Sequence, residues 1–312
     1  MCYEKEYNSR LQKLPVPTIV TGGAGFIGSH LAEALRDAVV VDDLSAGKKE
    51  NWPGKIVQES VTDADAMVRA LRGADVVYHF AAMPDVRENE EKPALAFDVN
   101  VRGTVNVLEA CRKNDARHVV FASSSVVYGE ASAADESAAL QPQSRYAASK
   151  VAAEGYLSAY VAVYGMKATV LRYANIYGPR SRRGVMHDFA AKLNANPRKL
   201  EILGDGKQTK SYVFVSDAVR ATLLAAKKQR TRFEAFNVAA APVTVRQVAE
   251  LVAGALGLNP KFEFTGGRAG WAGDVPIAVM DAEKLRRLGW EPAIGLQDGV
   301  KTYVDWLQRV HG

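Results

Sequence analysis

Tyr146 and Lys150 stand four residues apart in Tyr146-Ala147-Ala148-Ser149-Lys150. On a helix that spacing puts a phenol and an ammonium on one face, close enough to interact. The ammonium favours phenolate, so the pair is a route to a base near neutral pH. Free tyrosine titrates near ~10, and bringing it to neutrality takes ~3 units, or ~4 kcal/mol. Alone, the spacing more often marks an amphipathic helix with a snorkelling lysine. Upstream, the apolar run His118-Val119-Val120-Phe121-Ala122 ends in Ser123-Ser124-Ser125. A serine hydroxyl there can hydrogen-bond a substrate oxygen and pass a proton; its plainer use is to cap the strand. Downstream, Asn175 follows the run Ala168-Thr169-Val170-Leu171-Arg172. Its amide can hold a phosphate or sugar hydroxyl, or simply precede the turn at Gly178-Pro179.

A second constellation gives the first its context. Thr21-Gly22-Gly23-Ala24-Gly25-Phe26-Ile27-Gly28 follows the apolar Thr18-Ile19-Val20 and opens an amphipathic stretch through Leu31 and Leu35. Strand, glycine turn and helix in that order let backbone N–H groups approach a pyrophosphate at a helix N-terminus. The next apolar run, Ala38-Val39-Val40-Val41, ends in Asp42, twenty residues after Gly22. A carboxylate there accepts from both ribose hydroxyls of an adenosine. It would repel a 2′-phosphate, so the expected cofactor is NAD rather than NADP.

These groups need a scaffold. Apolar runs at 75–80, 118–122 and 168–172 read as buried parallel strands, and helical patterns cover about 63–72, 93–114 and 145–165. The alternation predicts an α/β fold: a doubly wound, Rossmann-like parallel sheet with the cofactor at the carboxyl ends of its strands. Beyond about residue 176 glycine and proline break the chain into shorter elements, with a helix at about 244–256. This reads as a smaller, mixed α/β lobe. The expected organisation is an N-terminal arm (1–15), a cofactor domain (16–175), and a substrate lobe (176–312) interleaved with it. Substrate belongs in the cleft between lobes.

Length and composition narrow the field. The 312 residues are 48% hydrophobic and 24% charged, ordinary for a soluble globular protein with a large core. No apolar stretch approaches the ~20 residues that cross a bilayer, and the charged N-terminus is wrong for a secretory signal. Two cysteines, Cys2 and Cys111, make no disulfide framework and fit a reducing cytoplasm. Five scattered histidines have no ligand spacing, so no metal is expected. The net charge of +5 is dispersed. It lacks the dense basic stripe of a nucleic-acid binder and suits an anionic small molecule.

Six motifs in order, from the glycine loop through Asp42-Asp43, His79-Phe80-Ala81-Ala82, Ser123-Ser124-Ser125-Val126-Val127-Tyr128-Gly129 and Tyr146-x-x-x-Lys150 to Arg172-Tyr173-Ala174-Asn175-Ile176-Tyr177-Gly178-Pro179-Arg180, resemble the extended short-chain dehydrogenase/reductases. The likeness runs from about residue 18 to the C-terminus. It is greatest to the UDP-galactose 4-epimerase branch of archaeal type. The resemblance implies NAD-dependent epimerisation at C4 of a UDP-hexose through a 4-keto sugar. Tyr146 would be the base, Ser124 its proton relay, and Lys150 the group that tunes Tyr146 and holds the nicotinamide ribose. It also implies Gly22, Gly25, Phe26, Ile27 and Gly28 at the pyrophosphate, Asp42 and Asp43 at the ribose, and Ser60 and Val61 near adenine. Phe80, Ala81, Ala82, Asn100 and Tyr173 would complete the cofactor site. Asn175, Lys210, Tyr212, Asp274 and Ala278 would meet the UDP-sugar, and a homodimer would form through the helices near 93–114 and 145–165.

Several positions depart from the family pattern. Ser60 stands where many members place an aspartate for adenine, Lys210-Ser211 replaces a frequent Arg-Asp pair, and Trp271 replaces an arginine for the diphosphate. Lys210, Arg180 and Arg268 are the candidate replacements, although lysine lacks arginine's fork. Ser125 and Val126 occupy the places where the 4,6-dehydratases carry an Asp-Glu pair, which argues against dehydration. Small Ala278 suggests room for UDP-N-acetylhexosamines. The competing readings are a UDP-glucuronate decarboxylase or epimerase on the same scaffold, and a dinucleotide sensor that performs no turnover.

Overall fold

The computed structural model describes residues 18–270 and 275–311. The chain opens with β1 (Thr18–Thr21), α1 (Phe26–Leu35), β2 (Val39–Val41), β3 (Ile56–Val57), α2 (Ala64–Ala70) and β4 (Val76–His79). Three helices follow, α3 (Val86–Glu91), α4 (Pro93–Phe97) and α5 (Gly103–Lys113), and then β5 (His118–Ser124) and β6 (Ala131–Ala134). α6 (Arg145–Tyr164) leads to β7 (Lys167–Tyr173) and β8 (Asn175–Tyr177). The remainder comprises α7 (Val185–Ala195), β9 (Lys199–Ile202), β10 (Thr209–Phe214), α8 (Val215–Lys228), β11 (Phe233–Val238), β12 (Pro242–Thr244), α9 (Val245–Ala255), β13 (Lys261–Phe264), β14 (Ile277–Met280), α10 (Glu283–Arg286) and α11 (Leu296–His311).

Seven strands pair in the order β11-β7-β5-β4-β1-β2-β3, every neighbour parallel. The β-branched runs are buried on both faces, as parallel strands between helical layers must be; Val20, Val77, Val120 and Val170 are among the buried core. This is the expected doubly wound sheet. Strand order reverses between β1 and β4, and a crevice opens there beyond the carboxyl ends. Gly22 sits at that point with φ +69°, and a Cβ on it would lie 2.5 Å from the Ala81 nitrogen. Only glycine fits.

The chain passes between sheets more than once. A second sheet runs β12-β10-β14-β6 with β8 beside β10. It thus takes β6 from before α6, while β11 returns to the large sheet from the far side of residue 176.

The region expected as one helix over 93–114 is interrupted. Pro93 starts α4, a π-helical turn spans Asp98–Arg102, and α5 continues from Gly103. Close packing explains the break, because a Cβ on Gly103 would lie 2.7 Å from a Val61 methyl. α6 matches its expected span of 145–165 closely. The Ser144 hydroxyl caps its start by accepting from the Ala147 N–H at 3.1 Å, a contact worth about 1 kcal/mol. Gly165 ends it with φ +68° in the left-handed region. Its buried stripe of Ala147, Lys150, Ala153, Glu154 and Leu157 keeps the 3-4 spacing of a single helical face.

Candidate active site

The carboxyl ends of β1, β4 and β5 and the first turn of α6 face one cavity of about 940 Å3. That lies at the upper end of the ~300–1,000 Å3 usual for small-molecule sites. Ser124 ends β5 and caps the following 3-10 turn. Tyr146 enters from α6 with its phenol within hydrogen-bonding reach of the Ser124 side chain. Lys150 lies one turn along the same helix, 3% exposed. All three line the cavity.

The electrostatics differ from the simple phenol–ammonium pairing. Lys150 Nζ donates to the Ala122 carbonyl at 2.8 Å and sits 4.8 Å above the Phe121 ring and 5.7 Å from the Tyr146 ring centre. Burial pushes the Tyr146 phenol up to about 12, opposed by the Ser124 hydrogen bond and the positive charge of Arg183. Burial also lowers Lys150 to about 8, opposed by the Glu154 carboxylate. The phenol is therefore held protonated. Ionising it requires more positive charge than Lys150 gives in this geometry.

The glycine loop, Asp42, Asp43, Val61, Phe80, Ala81, Ala82 and Tyr173 line the same cavity. Asp42 Oδ2 accepts the Ala24 N–H at 2.9 Å and Oδ1 the Leu44 N–H at 2.8 Å. Each oxygen keeps a further lone pair. Phe80 and Tyr173 meet with ring centres 6.2 Å apart, and the Tyr173 hydroxyl turns away to Thr222. On the other wall, Asn175, Lys210 and Tyr212 also line the cavity, with Asn175 Nδ2 donating to the Ser211 carbonyl at 3.1 Å.

Three expected residues lie outside that lining. Ser60 is not itself among the lining residues but donates to the cavity-lining Asp43 Oδ2 at 2.9 Å, while its neighbours Glu59 and Val61 line the cavity. Asn100 is buried beneath the site. Its Oδ1 accepts the Met83 N–H at 2.8 Å, and its Nδ2 faces Met83 O, Asn89 Oδ1 and Ser149 Oγ at 3.1–3.2 Å. The π-helical turn aims it inward, where it ties the loop after β4 to α6. Ala278 sits mid-sheet on β14, paired with Lys210 on one side and Ala131 on the other, which puts its methyl on the same face of the sheet as the cavity-lining Lys210. Asp274 and Trp271 lie outside the described residues, as does the 1–15 arm.

Of the candidate cations, Lys210 and Arg180 line the cavity, with Arg180 held by Ser29 and Glu33. Arg268 pairs with Glu130 and is not among the lining residues. Sequence reasoning missed two residues. Arg183 places positive charge near Tyr146, and Gln208 lines the wall with its buried Oε1 unpaired among the described residues. Gln208 was within reach of a period-two argument, since strand alternation puts residues 208, 210 and 212 on one face.

The sequence pattern of the NAD dependent epimerase/dehydratase family matches residues 18–239. The chain belongs to that family. It is 35% identical over 305 residues to a putative UDP-glucose 4-epimerase of Methanocaldococcus jannaschii, covering 93% of this chain and 98% of that one. Among solved structures, it resembles the UDP-glucose 4-epimerase of Thermus thermophilus in complex with NAD (37% identity, TM-score 0.86, covering 94% and 99% of the two chains). It also resembles the Thermotoga maritima UDP-glucose 4-epimerase with UDP-glucose (34% identity, TM-score 0.88, covering 95% and 100%).

The residues present fit the family's cofactor. The Gly22 approach to Ala81 leaves backbone where a side chain would intrude, and Gly28 packs so tightly that a Cβ would lie 2.1 Å from the Gly22 carbonyl oxygen. The free lone pairs of Asp42 suit a ribose diol, and α1 presents its N-terminal N–H groups to a pyrophosphate.

Proposed function

We propose that this protein is an NAD-dependent 4-epimerase of UDP-hexoses, interconverting UDP-galactose and UDP-glucose. One observation carries the reading: Ser124, Tyr146 and Lys150 converge in a cavity with the glycine loop and Asp42 on one wall and Asn175, Lys210 and Tyr212 on the other. A dinucleotide and a sugar nucleotide therefore meet at the phenol.

Tyr146 takes the proton of the sugar 4-hydroxyl, and the Ser124 hydroxyl, within reach of that phenol, steadies the shared proton. NAD, held by the glycine loop and Asp42, would supply the hydride acceptor and, through its cationic ring, positive charge that favours the phenolate. Lys150 holds a ribose hydroxyl and keeps a positive charge behind the phenol. After the 4-keto sugar turns over, Tyr146 returns its proton to the sugar oxygen. Proton and hydride leave together, so the base must already be in place. Asn175 and Lys210 hold the diphosphate. In this reading residues 16–175 bind mainly cofactor and 176–312 mainly the sugar nucleotide.

The same reading includes a homodimer and a cytoplasmic setting. Leu95 and Phe97 on α4 and Tyr156, Val163 and Tyr164 on α6 are 46–70% exposed, an apolar surface suited to a second copy. Sedimentation at a monomer mass would reject that pairing. The buried Cys111 thiol is free, which suits a reducing compartment, and among the described residues no helix is long and apolar enough to cross a membrane. Resolving the products of UDP-galactose and UDP-N-acetylglucosamine turnover by proton NMR tests the reaction and its sugar range together.

A further inference from the structure

Glu154 lies one helical turn beyond Lys150 on α6, with its side chain 5% exposed. Its Oε1 accepts the Ser123 hydroxyl at 2.5 Å, immediately before Ser124. The Arg172 guanidinium, 6% exposed, closes on both carboxylate oxygens, with Nη2 to Oε2 at 2.7 Å and Nε to Oε1 at 3.1 Å. Arg172 continues into Tyr128 at 2.7 Å, and Tyr128 donates to Asn237 on β11 at 2.8 Å. One buried carboxylate thus joins α6, which carries Tyr146 and Lys150, to β5, which delivers Ser124, and to β7, which runs on to Tyr173 and Asn175.

A buried ion pair is poor at adding stability, so this one invites a functional explanation. The titratable groups facing Lys150 are Tyr146 and Glu154 on its own helix and His79 on β4. His79 is held neutral, lowered to about 3 by burial and by the Lys150 charge, so it cannot balance an ammonium. Tyr146 is a protonated phenol. Glu154 is the carboxylate that opposes the burial penalty on Lys150.

We propose that Glu154 is a positioning residue for the reaction. It holds Ser124, Tyr146 and Asn175 in register through Ser123 and Arg172, and it supplies the negative charge against which Lys150 stays an ammonium. The inference deepens the 4-epimerase reading and rests on it for its effect on turnover.

The test uses full-length protein with NAD, lysine-labelled for NMR, with the Lys150 side chain assigned through Lys150→Arg. In Glu154→Gln the Lys150 titration should move down by about one unit or more, and the alkaline limb of UDP-galactose turnover should move with it. In Glu154→Asp, which keeps the charge and shortens the tether, the titration should stay near wild type. Its kcat should fall about tenfold with a smaller change in KM. A lowered thermal midpoint in Glu154→Gln with the Lys150 titration unmoved would reduce Glu154 to scaffold and overturn the proposal. So would wild-type kcat in Glu154→Asp, which decides the matter if Glu154→Gln does not fold. The titration is read without turnover, so an inactive wild type would overturn the reaction assignment and leave the Glu154–Lys150 coupling standing.

Discussion

Lys150 Nζ donates to the carbonyl oxygen of Ala122 at 2.8 Å, two residues before Ser124, and not to the phenol of Tyr146. The lysine therefore ties α6 to the end of β5 and meets Tyr146 only at a distance, 5.7 Å from its ring centre. With Lys150 lowered to about 8, turnover should fall on the alkaline side of about pH 8 as the ammonium is lost. Lys150→Met should abolish that limb together with most of the activity. A flat wild-type profile through pH 10 would contradict this role.

Tyr146→Phe removes the proton acceptor and leaves the ring. General acid–base groups contribute about 10²–10⁴-fold, so kcat should drop by about that factor while bound NAD per protomer stays unchanged. Cofactor content is read from the absorbance of NAD released on denaturation. Near-wild-type turnover would remove Tyr146 from the mechanism.

Asp42→Asn keeps the size of the side chain but loses the charge that attracts ribose hydroxyls and repels a 2′-phosphate. Affinity for NAD should fall about tenfold, equivalent to about 1.4 kcal/mol, and NADP should gain relative to NAD. Titration calorimetry of stripped protein with each cofactor measures both.

Ser144→Ala deletes the cap on α6, two residues before Tyr146. Stability should drop by about 1 kcal/mol, and kcat should fall more than KM rises, because the first turn of α6 carries the base. Chemical denaturation and steady-state kinetics on one preparation separate the two effects.

His79 is buried between Thr21 and Thr104, at 2.8 and 3.0 Å, and burial lowers it from 6.5 to about 3. Between those values the unfolded chain binds the extra proton, so stability is lost as pH falls from about 6.5 towards 3. His118, lowered to about 4 by burial, acts in the same sense. The slope of unfolding free energy against pH in that window should be shallower in His79→Gln, whatever its stability at pH 7.

The sheet was legible because parallel strands buried on both faces must be runs of Val and Ile, and such runs stand out even in three- or four-residue lengths like Val39–Val41. That the glycine loop, Asp42, Ser124, Tyr146 and Lys150 would share one cavity was legible because each falls at a strand end or in a helix's first turns, where local pattern fixes position. What stayed hidden depended on which way a residue faces within an irregular segment. Asn100 sits at the right point along the chain, but a π-helical turn aims it away from the cavity, and Ser60 spends its hydroxyl on Asp43. Ala278 was read from its neighbours in sequence, whereas its place is set by β14 inserting between β10 and β6, a pairing no local pattern announces. Glu154 carries no motif of its own, and its importance emerges only when three elements close around it.

Incubating the purified protein with UDP-galactose in the absence of added NAD, and following the sugar by proton NMR, tests C4 epimerisation at this site. We expect UDP-glucose to form until the two sugars reach equilibrium, with no net reduction of cofactor. Absence of UDP-glucose, even after NAD is supplied, would contradict the assignment of this site to C4 epimerisation.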